Sequence, residues 1–72
     1  MDALAEARER LIQRDPQFRR LAHKHQEYEE RLAELRVKRF PTEEEKLEEA
    51  KLKKLKLAVK DQMEQILRQE RV

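Results

Sequence analysis

The stretch RFPTEEE, Arg39 to Glu45, decides the fold. Pro41 disfavours helix at the residue before it, so a helix arriving from the N-terminal side must stop short of Phe40. Thr42 followed three residues later by Glu45 is the pattern of a capping box, in which each residue satisfies a backbone amide of the other. Glu43, Glu44 and Glu45 then fill a first helical turn, where negative charge meets the positive end of the helix dipole. The stretch reads as a stop, a turn over residues 39–42, and a strong start.

On the N-terminal side, Phe18, Leu21, His25, Tyr28, Leu32 and Leu35 recur at spacings of three and four. That is the narrow apolar seam of a coiled coil, and it predicts a helix over residues 16–38. Asp15-Pro16 opens it, with Asp15 as N-cap and Pro16 at the first helical position. An interior proline costs a helix about 3 kcal/mol, so the chain is expected to break at Arg14–Asp15. A short helix then covers residues 2–14, capped by Asp2, with Leu4, Ala7 and Leu11 on one face. The heptad spacing persists from Leu11 to Phe18, which leaves one kinked continuous helix as the alternative.

On the C-terminal side the difficult segment is KLKKLKLAVKD, Lys51 to Asp61. Leu55, Leu57 and Val59 alternate as in a strand. Leu52, Leu55, Val59, Met63 and Ile66 share a helical face, and the strand reading fails beyond its own window. A capped helix over residues 43–70 is therefore expected. Leu57 departs from the main stripe and groups with Leu47 and Ala50, forming a second, spare apolar stripe. So short a connection makes the two long helices antiparallel neighbours. The expected fold is all-α: one small domain over residues 1–72, a coiled-coil-like helical hairpin with a short N-terminal helix.

Composition agrees. The 72 residues are 47% charged with a net charge of +2, and glycine, serine, asparagine and cysteine are missing. A chain so poor in turn formers has few loops. Counting outward from the turn, Arg36, Lys38 and Arg39 face Glu43, Glu44 and Glu45. Likewise Glu27, Glu29 and Glu30 face Lys51, Lys53 and Lys54, and Arg19 and Arg20 face Asp61 and Glu64. Glu27–Arg31, Glu34–Lys38, Glu49–Lys53 and Glu64–Arg68 are spaced as i,i+4 pairs within helices.

The chemistry is thin. Without serine or cysteine the side-chain hydroxyls are Thr42, a cap, and Tyr28, a seam residue. Without glycine there is no phosphate-cradling loop. His23 and His25 diverge on a helix; His23–Glu27 and His25–Glu29 have ligand spacing but lack a third ligand. A catalytic, metal or cofactor site is not expected. No membrane span or signal peptide is expected either, so a cytoplasmic protein is. A domain this small buries little surface alone, which points to a homo-oligomer or an unidentified protein partner, with Leu47, Ala50 and Leu57 as the contact. The alternative is a weak nucleic-acid-binding protein that uses Lys51, Lys53, Lys54, Lys56 and Lys60. It lacks the interleaved aromatics of single-strand binders, and the neighbouring glutamates would repel a polyanion.

Asp15-Pro16-x-Phe18, Leu21, His25, Pro41-Thr42-Glu43 and Lys53-Lys54-x-Lys56-Leu57-x-Val59-Lys60-Asp61 resemble the YdcH-like family of short bacterial proteins. The resemblance runs over roughly residues 15–67. It implies a helical hairpin in a bacterial cytoplasmic protein with no established biochemical function, so no site residue carries over. Tyr28-Glu29 stands where the family has Leu-Asp, and Val59 where it has Leu.

Overall fold

The structure, a computed structural model, describes residues 3–70, with the backbone alone at Leu4. The expected Asp2 cap and the place of the Leu4 side chain lie outside the described residues. The described chain is all-α: helices α1 (Ala3–Arg14), α2 (Pro16–Arg36) and α3 (Glu43–Glu70), with no strand among them. Lys51 to Asp61 lies wholly within α3.

Asp15 breaks the chain between α1 and α2. Its backbone is extended (φ −108°, ψ 107°), so α1 and α2 are separate helices and not one kinked helix. Its carboxylate accepts from the amides of Gln17 (2.9 Å) and Phe18 (3.3 Å). In an uninterrupted helix, residues 16 and 17 would donate to the carbonyls of Ile12 and Gln13. Pro16 has no N–H, and the amide of Gln17 is turned to Asp15. Arg19 fills both vacancies: its Nε donates to the Ile12 carbonyl at 2.8 Å and its Nη2 to that of Gln13 at 3.0 Å. The cation thus satisfies two open carbonyls at the negative end of α1. Arg19 was expected to face Asp61 or Glu64, and Arg20 likewise. Arg20 instead donates to the Pro16 carbonyl at 3.5 Å.

α2 ends at Arg36, two residues before the expected Lys38. The described residues include no positive-φ conformation, and there is no glycine to supply one. The last turn tightens instead, with the Lys38 amide donating to the Leu35 carbonyl at 3.3 Å. At the start of α3 the capping box is complete: the Glu45 amide donates to Thr42 Oγ1 (3.1 Å), and the Thr42 amide to Glu45 Oε1 (2.8 Å).

α2 packs along α3, and α1 packs on both. The result is an elongated body of 46 × 21 × 17 Å. Four of the six seam residues of α2 are buried (Phe18, Leu21, Leu32 and Leu35), with His25 and Tyr28 half-buried. Ala7, Leu11, Phe18 and Leu67 form one buried cluster, against which Met63 and Ile66 pack. Residues of α1 therefore share a core with the far end of α3. The stripe expected on α3 shifts along its length. Val59 is buried and Leu52 half-buried, but Leu55 is exposed and Leu67 takes a buried place. A 3-4 spacing drifts by about 20° per heptad around a straight helix, so a buried line cannot hold one stripe for 28 residues.

Phe18 is fully buried and Phe40 lies open at the turn. We predict that Phe18→Ala costs about 3–5 kcal/mol, enough to unfold a domain this small, while Phe40→Ala stays within about 0.5 kcal/mol. Urea denaturation followed by far-ultraviolet circular dichroism measures both. Comparable losses in the two variants would contradict this assignment of the core.

Candidate functional site

The charged side chains between α2 and α3 form a ladder. Lys38 pairs with Glu45 beside the turn, and Arg36 reaches Glu49 at 3.8 Å. Arg31 grips Glu48 with both arms of its fork, Nε at 2.7 Å and Nη2 at 2.9 Å. Its Nη1 also donates to Glu34 at 2.9 Å. Farther along, Lys56 pairs with Glu29. Of the three expected meetings of charge blocks, the one beside the turn forms, through Lys38 and Glu45, and the other two do not form as counted. Glu29 takes Lys56 and not Lys51, Lys53 or Lys54. Arg31 turns to Glu34 and Glu48 and not back to Glu27. Of the intrahelical pairs, Glu49–Lys53 forms at 3.5 Å, and His23–Glu27 at 2.9 Å.

These contacts move the acids in one direction. The hydrogen bond from Lys38, helped by the Thr42 amide, brings the Glu45 carboxyl down to about 2. Arg31 lowers that of Glu48, and Lys56 that of Glu29. The guanidinium of Arg31 is raised in turn by its bonds to Glu48 and Glu34. Each pair is weak by itself at a wet surface. The two-armed Arg31–Glu48 contact adds geometric demand, because only one placement of the helices satisfies both bonds.

The spare stripe is open to solvent: Leu47 is 71% and Leu57 60% exposed, and Ala50 is exposed as well. At about 100° per residue, Leu47, Ala50, Lys54, Leu57, Ala58 and Asp61 fall within an arc of about 100° on α3. All six are exposed. Val37 (83%) and Phe40 (88%) add apolar surface at the turn, which sequence reading missed. Their spacing carries no periodic signal, since both lie where the helix has ended.

Of the five lysines, Lys51, Lys54 and Lys60 are exposed and have no ion pair among the described residues. Lys53 is held by Glu49 and half-buried Lys56 by Glu29. No group of three or more His, Asp or Glu side chains is placed to hold a metal ion among the described residues. No described helix is long and apolar enough to cross a membrane.

A family model described as a protein of unknown function, DUF465, matches residues 18–67, from the buried Phe18 to the buried Leu67. No curated protein and no solved structure matches the chain.

The lowered carboxyls set an acid limit. A glutamate ionises at 4.5 without such contacts and Glu45 at about 2 when folded. Between these values the unfolded chain binds a proton that the folded chain does not, so stability falls as the pH falls through that window. The urea midpoint is expected to hold from pH 7 to about 5 and then to drop towards pH 2. Glu45→Gln keeps a capping-box side chain but loses the charge, so it lowers the midpoint at pH 7 and shrinks the acid loss. An unchanged acid slope in that variant would refute the assignment.

Proposed function

The chain belongs to the DUF465 family of proteins of unknown function, which includes the YdcH-like proteins, and from that premise we propose that it is a non-enzymatic, self-associating helical hairpin. The hairpin reading rests on the ladder. Stepping back from Lys38, just past α2, through Arg36 and Arg31 to Glu29, the partners on α3 shift from Glu45 through the adjacent pair Glu48 and Glu49 to Lys56. That order is the one two antiparallel, coiled-coil-like helices produce. The whole of residues 1–72 then acts as one small domain, and it works in the bacterial cytoplasm.

Self-association rests on the outer face of α3. Leu47, Ala50, Leu57 and Ala58 supply apolar surface, while Lys54 and Asp61 supply one charge of each sign. Neither Lys54 nor Asp61 has an ion pair among the described residues. A two-fold interface sets residue i of one copy against j of the other and j against i. If two copies meet with α3 antiparallel, Lys54 of each faces Asp61 of the other, and Leu57 lies at the axis beside Ala58. The face is complementary to itself. The exposure of Leu57 amid that charge pattern carries the reading.

Sedimentation at about 100 μM checks it, the range in which a modest interface of this kind associates. We predict a dimer that Leu57→Glu dissociates at least tenfold. Lys54→Glu is expected to do the same, and adding Asp61→Lys to it to restore association. A chain that stays monomeric throughout, or a double variant no better than the single, would overturn the proposal. The second reading is weak nucleic-acid binding, and it draws on the exposed, unpaired Lys51, Lys54 and Lys60. It requires binding to DNA or RNA at about 50 mM salt that falls steeply as salt is raised.

A further inference from the structure

Between the three helices lies a cleft of about 230 Å³, lined by Arg8, His25, Glu29, Lys56, Lys60 and Met63. Each helix contributes for a local reason. Arg8 follows buried Ala7 on α1, so its stem starts at the edge of the core. His25 and Glu29 are one turn apart on α2. Lys56 and Lys60 are one turn apart on α3 and flank buried Val59. The sequence separates these residues by as many as 55 positions, and only the packing of α1 onto α2 and α3 unites them.

The charge balance of the cleft is uneven. Arg8, Lys56 and Lys60 oppose a single carboxylate, Glu29, which leaves two positive charges with His25 neutral. Glu29 is already engaged by Lys56. Arg8 and Lys60 have no ion pair among the described residues. Cations gathered from three elements around a concavity repel one another and attract a counter-anion.

We propose that this cleft binds a phosphate dianion, free or as the phosphomonoester of a small molecule. The charge matches: a phosphomonoester carries close to two negative charges near neutral pH, its second pKa being about 6. The fork of Arg8 suits two phosphate oxygens, Lys60 adds a point charge, and the His25 imidazole adds a donor. The volume suits a phosphate group rather than a drug-sized ligand, whose pockets start at about 300 Å³. Met63 gives the ester carbon an apolar wall. Bound there, the anion ties α1 to α3 through Arg8 and Lys60. This site depends on neither self-association nor the exposed face of α3.

Inorganic phosphate and glycerol phosphate, each titrated at constant ionic strength against sodium chloride, test the site by nuclear magnetic resonance. Saturable shifts are expected at Arg8, His25 and Lys60, with a dissociation constant on the order of 1 mM. Saturation by either probe supports the site, and the tighter probe identifies free phosphate or an ester as the ligand class. Arg8→Gln and Lys60→Gln should each weaken binding about tenfold, while Lys51→Gln, outside the cleft, leaves it unchanged. Circular dichroism shows whether Arg8→Gln still folds, and Lys60→Gln decides the matter if it does not. Shifts that never saturate, that chloride reproduces, or that Lys51→Gln removes as fully as Lys60→Gln would overturn the proposal.

Discussion

Phe18 is held twice, and the arrangement of the three helices follows from it. Its amide is capped by the Asp15 carboxylate, which fixes where α2 begins. Its ring is fully buried among Ala7 and Leu11 of α1 and Leu67 of α3. Burying such a side chain is worth about 1.5–3 kcal/mol, a large share of what a small domain can muster. One residue therefore sets the start of a helix and the point where all three meet. The junction around it has almost no slack. Two of the carbonyls that Pro16 and the Asp15 cap leave open, those of Ile12 and Gln13, are taken by Arg19. α1 turns away from α2 over a single extended residue, yet the carbonyls of Leu11, Ile12 and Gln13 keep partners across the break.

Much of this was legible in the sequence because helices write their buried face as a spacing. Phe18, Leu21, Leu32 and Leu35 are buried where the 3-4 pattern of α2 puts them. Thr42 and Glu45 cap α3 as their three-residue separation demands. Other features left no such trace. Spacing says which side of a helix is apolar but not what covers it, so the union of Ala7 and Leu11 with Leu67 could not be read. The role of Arg19 was hidden among many charged residues, since an arginine that caps a carbonyl looks like one that seeks a carboxylate. Leu47 and Leu57 stood out as surplus to the main stripe, and both are exposed. The cleft at Arg8 was invisible for the same reason as the Leu67 contact: it is made by packing across the chain.

The high charge content has a structural use. Net charge is small because the two signs nearly cancel, and they are distributed so that α2 and α3 offer each other opposite blocks. Exposed ion pairs contribute little to stability individually. They act by making wrong placements costly: sliding the helices would set like charges together and undo both bonds of Arg31 to Glu48. Stability comes from the apolar seam, and choice of placement comes from the charges beside it.

The cluster around Phe18 also has a consequence in time. Contacts beside the turn, such as Lys38 with Glu45, join residues seven apart. Leu67 lies about 50 residues beyond Phe18, and closing a loop that long carries a greater entropic cost than closing a short one. In the proposed hairpin, assembly that starts at the turn and zips towards the far end meets that cost in small increments. Phe18, one of the two fully buried side chains, is then among the last to be completed, and α1, which needs both of its neighbours in place, docks at the end of the sequence of events. Reversed, the same order makes α1 the first helix to open and exchange its amide hydrogens with water.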